Sequence, residues 1–388
     1  MRVTLVIFTI WLAGLGGAGQ YAKLAAGFGA LSEAYPGAGA ALGFAVSLLS
    51  FLGLLFGLYA GRLVARFGAK RALIGGLVLG AAMSGIEALL PALPIFLAAR
   101  LIEGLSHLAI VVAAPTLIAE TAPERMRPAA MTLWSTFFSV AFALAAFAGP
   151  AVIEAYGLSG LLFGHAAYLL AMAAILAPVL PRPERSEPAG ESDGILRRHV
   201  RLYGNPWLSA PGWGWLFYTF TFVAVLTLLP EVAPGAPLWL ATALPLAAIM
   251  TSLTLGVVLL SRFSAVQISV AGFGLSAILT LALLATGGAT WALLGLFLCL
   301  GLVQAAGFAA VPQLAHTASD RAMANGAIAQ MGNLGNLTGT PVLLALLSVA
   351  GRDAALLTLV ACYVAGAGAH AVLGARRAAQ DASASRAT

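Results

Sequence analysis

The sequence predicts an all-α integral membrane protein with twelve transmembrane helices in two six-helix pseudo-symmetric halves. Three observations predict it. Hydrophobic residues make up 61% of the chain and charged residues 9%, against about 25% charged in an ordinary soluble domain. Twelve apolar runs recur from end to end, each near the roughly 20 residues that carry a helix across ~30 Å of hydrocarbon. The two halves also repeat one another. ARFG (65–68) matches SRFS (261–264), GLSHLAIVVAAP (104–115) aligns with GLVQAAGFAAVP (301–312), and ER (124–125) meets DR (320–321), at offsets of 196 or 197 residues. Offsets this constant mark an internal duplication into parallel repeats. A β-barrel would instead show alternating strands of about ten residues.

The first span centres near Ala13 and runs on through GQYAKLAAGFGAL with no clear cleavage site, so it is a helix and not a signal peptide. Its glycines permit close helix approach or local unwinding. Gln20 and Lys23 share one face, and Lys23 faces either the bundle or, by snorkelling, the outer interface. The second span centres near Ser50 and ends at the basic loop GRLVARFGAKRAL (61–73). The third centres near Leu79, with Glu87 towards its outer end. The fourth, near Ile110, contains ARLIEGLSH (99–107), where Arg100, Glu103 and His107 interrupt a long uncharged stretch. The fifth, near Leu144, offers Trp134, Ser135 and Ser139, and the sixth centres near Ala171.

The polar stretch PRPERSEPAGESDGILRRHVRLYGNP (181–206) has the Pro, Gly, Ser and charge content of a linker. Its basic RRHVR fits the membrane surface. The halves are therefore expected at 1–180 and 213–375, with a cytoplasmic linker at 181–212 and a cytoplasmic tail at 376–388. The seventh span, near Val223, carries Tyr218 and Thr221. The eighth and ninth centre near Ile249 and Ile278, and the tenth near Val303, next to Gln304. The eleventh, near Leu337, holds a polar stripe of Gln330, Asn333, Asn336 and Thr340, read as cavity lining or as interhelical glue. The twelfth centres near Leu359. Cys299 and Cys362 sit inside spans and give no disulfide framework.

Seventeen of the 20 Lys and Arg residues fall in alternate loops and the termini on one side. The positive-inside rule puts that side, and both chain ends, in the cytoplasm. The net charge of +6 is then anchoring charge facing an anionic leaflet and calls for no nucleic acid. Abundant Arg, Ala and Gly with only two lysines suggest a GC-rich bacterial gene, hence the inner membrane. No phosphate-cradling loop, Ser-His-Asp set or metal-ligand spacing is present, so neither an enzyme nor a cofactor is expected.

GRLVARFGAKRAL resembles the loop between helices two and three of the major facilitator superfamily, G-x-L-x-D-R-x-G-R-[RK]. Gly61, Leu63, Arg66, Gly68 and Lys70 match, while Ala65 stands for the usual aspartate and Ala69 for the usual arginine. Arg100 and Gly104 resemble the family's helix-four motif, Gly149 and Pro150 its helix-five pair, and Pro115 with TLI resembles cyanate-permease-like members. The resemblance implies that Gly61, Arg66, Gly68 and Lys70 form a cytoplasmic gating latch, weakened here by the missing acid. It also implies that helices one, four, seven and ten line a central cavity.

Physics makes the same demand of the fourth span. Arg100, Glu103 and His107 share one helix face, and a charge in lipid costs at least ~2.5–3.5 kcal/mol, so that face turns inward. The expected cavity residues are Gln20, Lys23, Arg100, His107, Gln304, Gln330, Asn333 and Asn336. Glu103, the deeply placed acid, and His107 are the expected proton-coupling pair. The function that follows is secondary active transport of a small polar solute, anionic or zwitterionic, by alternating access. It is read as proton-coupled import by a monomer in the bilayer. A drug or metabolite antiporter is the alternative, and a non-transporting membrane protein that handles a cofactor or senses a ligand is the third reading.

Overall fold

A computed structural model gives the fold and describes residues 2–180 and 194–387. The chain divides into two compact units, Met1–Ala189 and Gly190–Thr388. The first contains α1 (Arg2–Ala26), α2 (Phe28–Ala34), α3 (Ala41–Ser47), α4 (Ser50–Phe67), α5 (Ala69–Ala88), α6 (Leu93–Thr121), α7 (Arg127–Ser135) and α8 (Phe137–Val179). The second contains α9 (Ile195–Gly204), α10 (Pro206–Thr227), α11 (Leu229–Val232), α12 (Trp239–Leu253), α13 (Leu255–Leu260), α14 (Ala265–Ala285), α15 (Thr290–Leu314) and α16 (Ala318–Ala387). Among the described residues every regular element is helical, and nine spans are long and apolar enough to cross a membrane.

Two of those nine are broken. Gly157 interrupts α8 at φ 69°, ψ −179° and Gly351 interrupts α16 at φ 80°, ψ −178°. Both lie in the left-handed region that a Cβ disfavours. The same device thus breaks a helix at the corresponding place in each unit.

Repetition also governs packing. Helices in lipid associate by close backbone contact at small residues, because lipid tails are as apolar as leucine. In the first unit Gly104 of α6 packs on the carbonyl of Leu49, at the start of α4. In the second, Gly301 of α15 packs on the carbonyl of Ala248 in α12. A Cβ at either glycine would overlap that oxygen. The α1 glycines do the same work: the helix is continuous, and Gly16 and Gly17 let Leu169 and Ile110 approach its backbone. Close approach, not unwinding, is what they provide. The apolar layer they join includes Ile10, Leu73, Leu77, Ile110, Leu117 and Leu176, all buried.

The stretch expected as linker carries regular structure at its C-terminal end. Residues 181–193 lie outside the described ones, but α9 and the first turns of α10 occupy positions assigned to linker. Pro206 is the reason. It occupies the first turn of α10, where a missing N–H costs nothing, and the Asn205 side chain caps Trp207 N at 2.9 Å and Leu208 N at 3.3 Å. Proline there starts a helix. The predicted tail is likewise helical, since α16 runs on to Ala387.

Candidate functional site: a closed ring of buried charge

α5 and α6 are joined by a short connection at residues 89–92 and run antiparallel. That hairpin sets Glu87 opposite Arg100 and Ser84 opposite Glu103. α1 brings Lys23 between them. The four charged side chains then close a ring of alternating sign. Lys23 Nζ lies 2.7 Å from Glu87 Oε2 and 2.9 Å from Glu103 Oε1. Arg100 Nη1 lies 3.5 Å from Glu87 Oε1 and donates a short bond to Glu103 Oε2. Lys23 is 3% exposed and the other three are fully buried.

Removing charges from water costs several kcal/mol per ion unless partners and hydrogen bonds compensate. In this ring the charges balance and every nitrogen of the Arg100 guanidinium has a partner. Arg100 Nε donates to the Ala45 carbonyl at 2.6 Å, and Nη2 donates to the Gln20 carbonyl at 2.9 Å and the Val46 carbonyl at 3.3 Å. Lys23 also donates to Ser84 Oγ at 2.6 Å. Two cations and two acids leave the ring neutral.

A second tier extends the network along α1. Ser84 Oγ lies 3.1 Å from Glu103 Oε1 and 2.8 Å from His165 Nδ1, with one proton to give. His165 Nε2 is 2.9 Å from the Gly16 carbonyl. An imidazole that donates there and is neutral must accept at Nδ1, so the Ser84 proton then belongs to His165. His107 Nδ1 lies 3.0 Å from the Gly17 carbonyl, and its ring meets Tyr21 edge-on at 5.1 Å. Gln20 Nε2 donates to Ser106 Oγ at 2.7 Å, and Ser106 to the Gly76 carbonyl at 2.7 Å.

The structure therefore brings together Gln20, Lys23, Arg100, Glu103 and His107, five residues singled out in the sequence. Of the two placements open to Lys23, the structure has the buried one, inside the unit. One expectation is corrected. Glu103 is not the only deep acid: Glu87 is equally buried, because the hairpin folds the end of α5 against the start of α6. His165 and Ser84 are the residues sequence reasoning missed. A lone histidine in the apolar sixth span, and a serine one helical turn before Glu87, are the signals that carry them. Outside the spans, burial and then the negative charge of Glu87 push the Tyr35 phenol above its usual range. Its hydroxyl donates to the Pro91 carbonyl at 2.7 Å.

In the second unit the polar groups are dispersed. Tyr218 Oη donates to Gln304 Oε1 at 3.3 Å, beside a stack of Trp215 on Tyr218 at 4.7 Å. Gln330 is held at the α9 end of the unit: Tyr203 Oη donates to its Oε1 at 2.7 Å, and its Nε2 lies 3.0 Å from His199 Nε2. Burial pushes the Tyr203 phenol up to about 12. Asn333 donates to Ala329 of its own helix at 2.7 Å, whereas Asn336 Oδ1 and Thr340 Oγ1 are buried without a hydrogen-bond partner among the described residues. The stripe is not one cluster.

The predicted gating residues lie at the turn between α4 and α5. Gly68 makes that turn at φ 87°, Gly61 and Arg66 are exposed, and Lys70 Nζ donates to the Leu180 carbonyl at 2.5 Å. The side chain of Ala65 lies outside the described residues. A cavity of about 970 Å³ between α4, α5 and α6 is lined by Phe56, Leu63, Phe67, Leu105 and other apolar side chains with Arg66 and Arg71. None of the ring residues lines it.

A search of curated proteins finds no match to the chain. The sequence pattern of the Major Facilitator Superfamily, whose members are membrane transporters of small molecules and not enzymes, matches residues 6–340. That is well over half of the sequence, and the chain belongs to the Major Facilitator Superfamily.

Proposed function

We propose that the protein imports a small organic anion or zwitterion together with protons, by alternating access. The observation that carries this reading is the neutral, closed ring of Lys23, Glu87, Arg100 and Glu103. A protein has little reason to bury four charges in a span-forming unit for stability alone, since apolar replacements of such groups are often neutral or better. Charged groups within spans mark substrate and proton pathways.

The ring supplies the coupling logic. While both acids are ionised, each cation is satisfied and a solute carboxylate has nothing to neutralise. One proton on one acid leaves the ring at +1, and a carboxylate then restores neutrality. Proton and anion thus stabilise one another's binding, which is the thermodynamic requirement for symport. Gln20 and His107, on the same network in the first unit, supply further polar contacts. The reading also takes the break in α8 and the break in α16 as span boundaries and counts α10, giving twelve spans. Both chain ends face the cytoplasm of a bacterial inner membrane, and the monomer is the working form.

A thermal-shift screen of the purified protein tests it. Carboxylates and amino acids should raise the unfolding temperature, more strongly at acid than at alkaline pH. A solute at a hundred times its dissociation constant should add ~2.7 kcal/mol. Stabilisation by lipophilic cations and not by carboxylates would replace this reading with the antiporter.

A further inference from the structure

We infer that Glu87, and not Glu103, is the acid of the ring that takes up and releases the proton. The inference rests on the proton-coupled reading above and assigns the step to one carboxyl.

The two acids are held very differently. Glu103 accepts an aligned hydrogen bond from Lys23 at 2.9 Å and a short one from Arg100, so each of its two oxygens holds a cationic donor. Glu87 Oε2 lies 2.7 Å from the Lys23 ammonium but off the axis of a hydrogen bond, and no other donor among the described residues reaches it. Its Oε1 meets Arg100 only at 3.5 Å. Protonating Glu103 would disturb the Arg100 bond, the shortest of the ring, together with the aligned bond from Lys23. Protonating Glu87 leaves Arg100 on Glu103 and on three carbonyls, and leaves Lys23 on Glu103 and Ser84.

Position on the helix adds a second reason. Glu87 is one residue from the end of α5, whose last carbonyls face it with the negative end of the helix dipole; Leu89 caps that end. A carboxylate there is disfavoured relative to its neutral form. Glu103 lies ten residues into α6, beyond the reach of either terminus. The groups around Glu87 are Lys23 of α1, Ser84 of α5, Arg100 and Glu103 of α6 and the phenol of Tyr35, with His165 of α8 one hydrogen bond further off through Ser84. Of these, Glu103 is the like charge that gains when Glu87 becomes neutral. The step itself is a plain protonation: a proton from water converts the Glu87 carboxylate to a carboxylic acid and returns to water when the solute is released.

Infrared difference spectroscopy between acid and alkaline pH, on the full chain in nanodiscs, tests the assignment without knowledge of the solute. The wild type should show the high-frequency carbonyl band of a protonated carboxyl shielded from water, and Glu33→Gln, at an exposed acid, should keep it. Glu87→Gln should lose it. Because that variant leaves an unbalanced cation, Lys23→Met/Glu87→Gln, which stays neutral, is the second arm and should lose the band as well. A band that survives in the neutral double variant, or no titrating band in the wild type, overturns the assignment. The two readings fail separately. A surviving band leaves proton coupling standing on another acid, whereas a band that follows Glu87 in a protein driven by a different ion removes the coupling alone.

Discussion

Lys23 on α1 and Glu87 at the end of α5 stand 2.7 Å apart, 64 positions distant in sequence and both sealed from solvent. Neither has an ordinary structural reason to be there alone. Lys23→Met removes one cation and leaves two buried acids sharing Arg100, a loss of roughly 3–5 kcal/mol by analogy with other broken buried pairs. Thermal unfolding in detergent reads it. The neutral Lys23→Met/Glu87→Gln protein should recover most of that loss, and a double variant no more stable than Lys23→Met would mean the four groups do not act as a charge-balanced unit.

Close backbone contact predicts a matched pair of effects. Gly104→Ala drives a methyl group into the Leu49 carbonyl, and Gly301→Ala into that of Ala248. Backbone oxygens cannot rotate away, so each helix must shift, at about 1–3 kcal/mol. Gly29→Ala, where nothing lies within reach of the new methyl, should not lower the unfolding temperature, since alanine is the better helix former. Equal behaviour of all three would remove close packing as the reason for the first two glycines.

The α9 anchor has a pH signature. The Tyr203 phenol is pushed from 10.0 up to about 12 by burial, so the folded state favours its neutral, donating form. A raised folded value means the stabilisation is complete below the ordinary value and is lost as pH rises through the folded one. The protection of α9, its exchange rate measured against the intrinsic base-catalysed rate, should therefore be constant up to about pH 10 and fall between there and 12. Tyr203→Phe should lose about 1 kcal/mol of α9 protection and abolish the pH step. A step that persists in the phenylalanine variant belongs to another group.

Topology is directly testable by cysteine labelling in a Cys299→Ser/Cys362→Ser background. Cysteines replacing Glu124 and Ser261, both exposed, should react only from the cytoplasmic side. Those replacing Pro36 and Pro234, also exposed, should react only from outside. The reverse pattern would invert the orientation drawn from the basic loops.

Much of this is legible in the sequence, for identifiable reasons. Arg100 and Glu103 are three residues apart on a helix that lipid cannot solvate as charges, so their pairing follows from period and cost. Duplication is equally visible, and the structure repeats it in Gly104 and Gly301, and in Gly157 and Gly351. Glu87 is not found by reading along the chain, because a residue at a helix end looks peripheral until the hairpin register sets it across from Arg100. His165 is harder still, since only the packing of α8 on α1 brings it to Ser84. The duplication also conceals an asymmetry. Where the first unit has Arg100, the repeat places Phe297, fully buried and 5.3 Å from the ring of Phe222. One scaffold carries a charge ring in one copy and aromatic packing in the other, and no pattern in the offsets announces which.

Joint entry of proton and solute by way of the buried ring can be read in proteoliposomes loaded with a pH-sensitive dye, using the carboxylate solute that most stabilises the purified protein. Adding that solute outside should acidify the lumen, and an imposed inward proton gradient should drive its accumulation. Glu87→Gln should keep solute counterflow, which requires no net proton release, while losing both acidification and accumulation. Uptake by the wild type with no lumen acidification and no response to the imposed gradient would contradict the account.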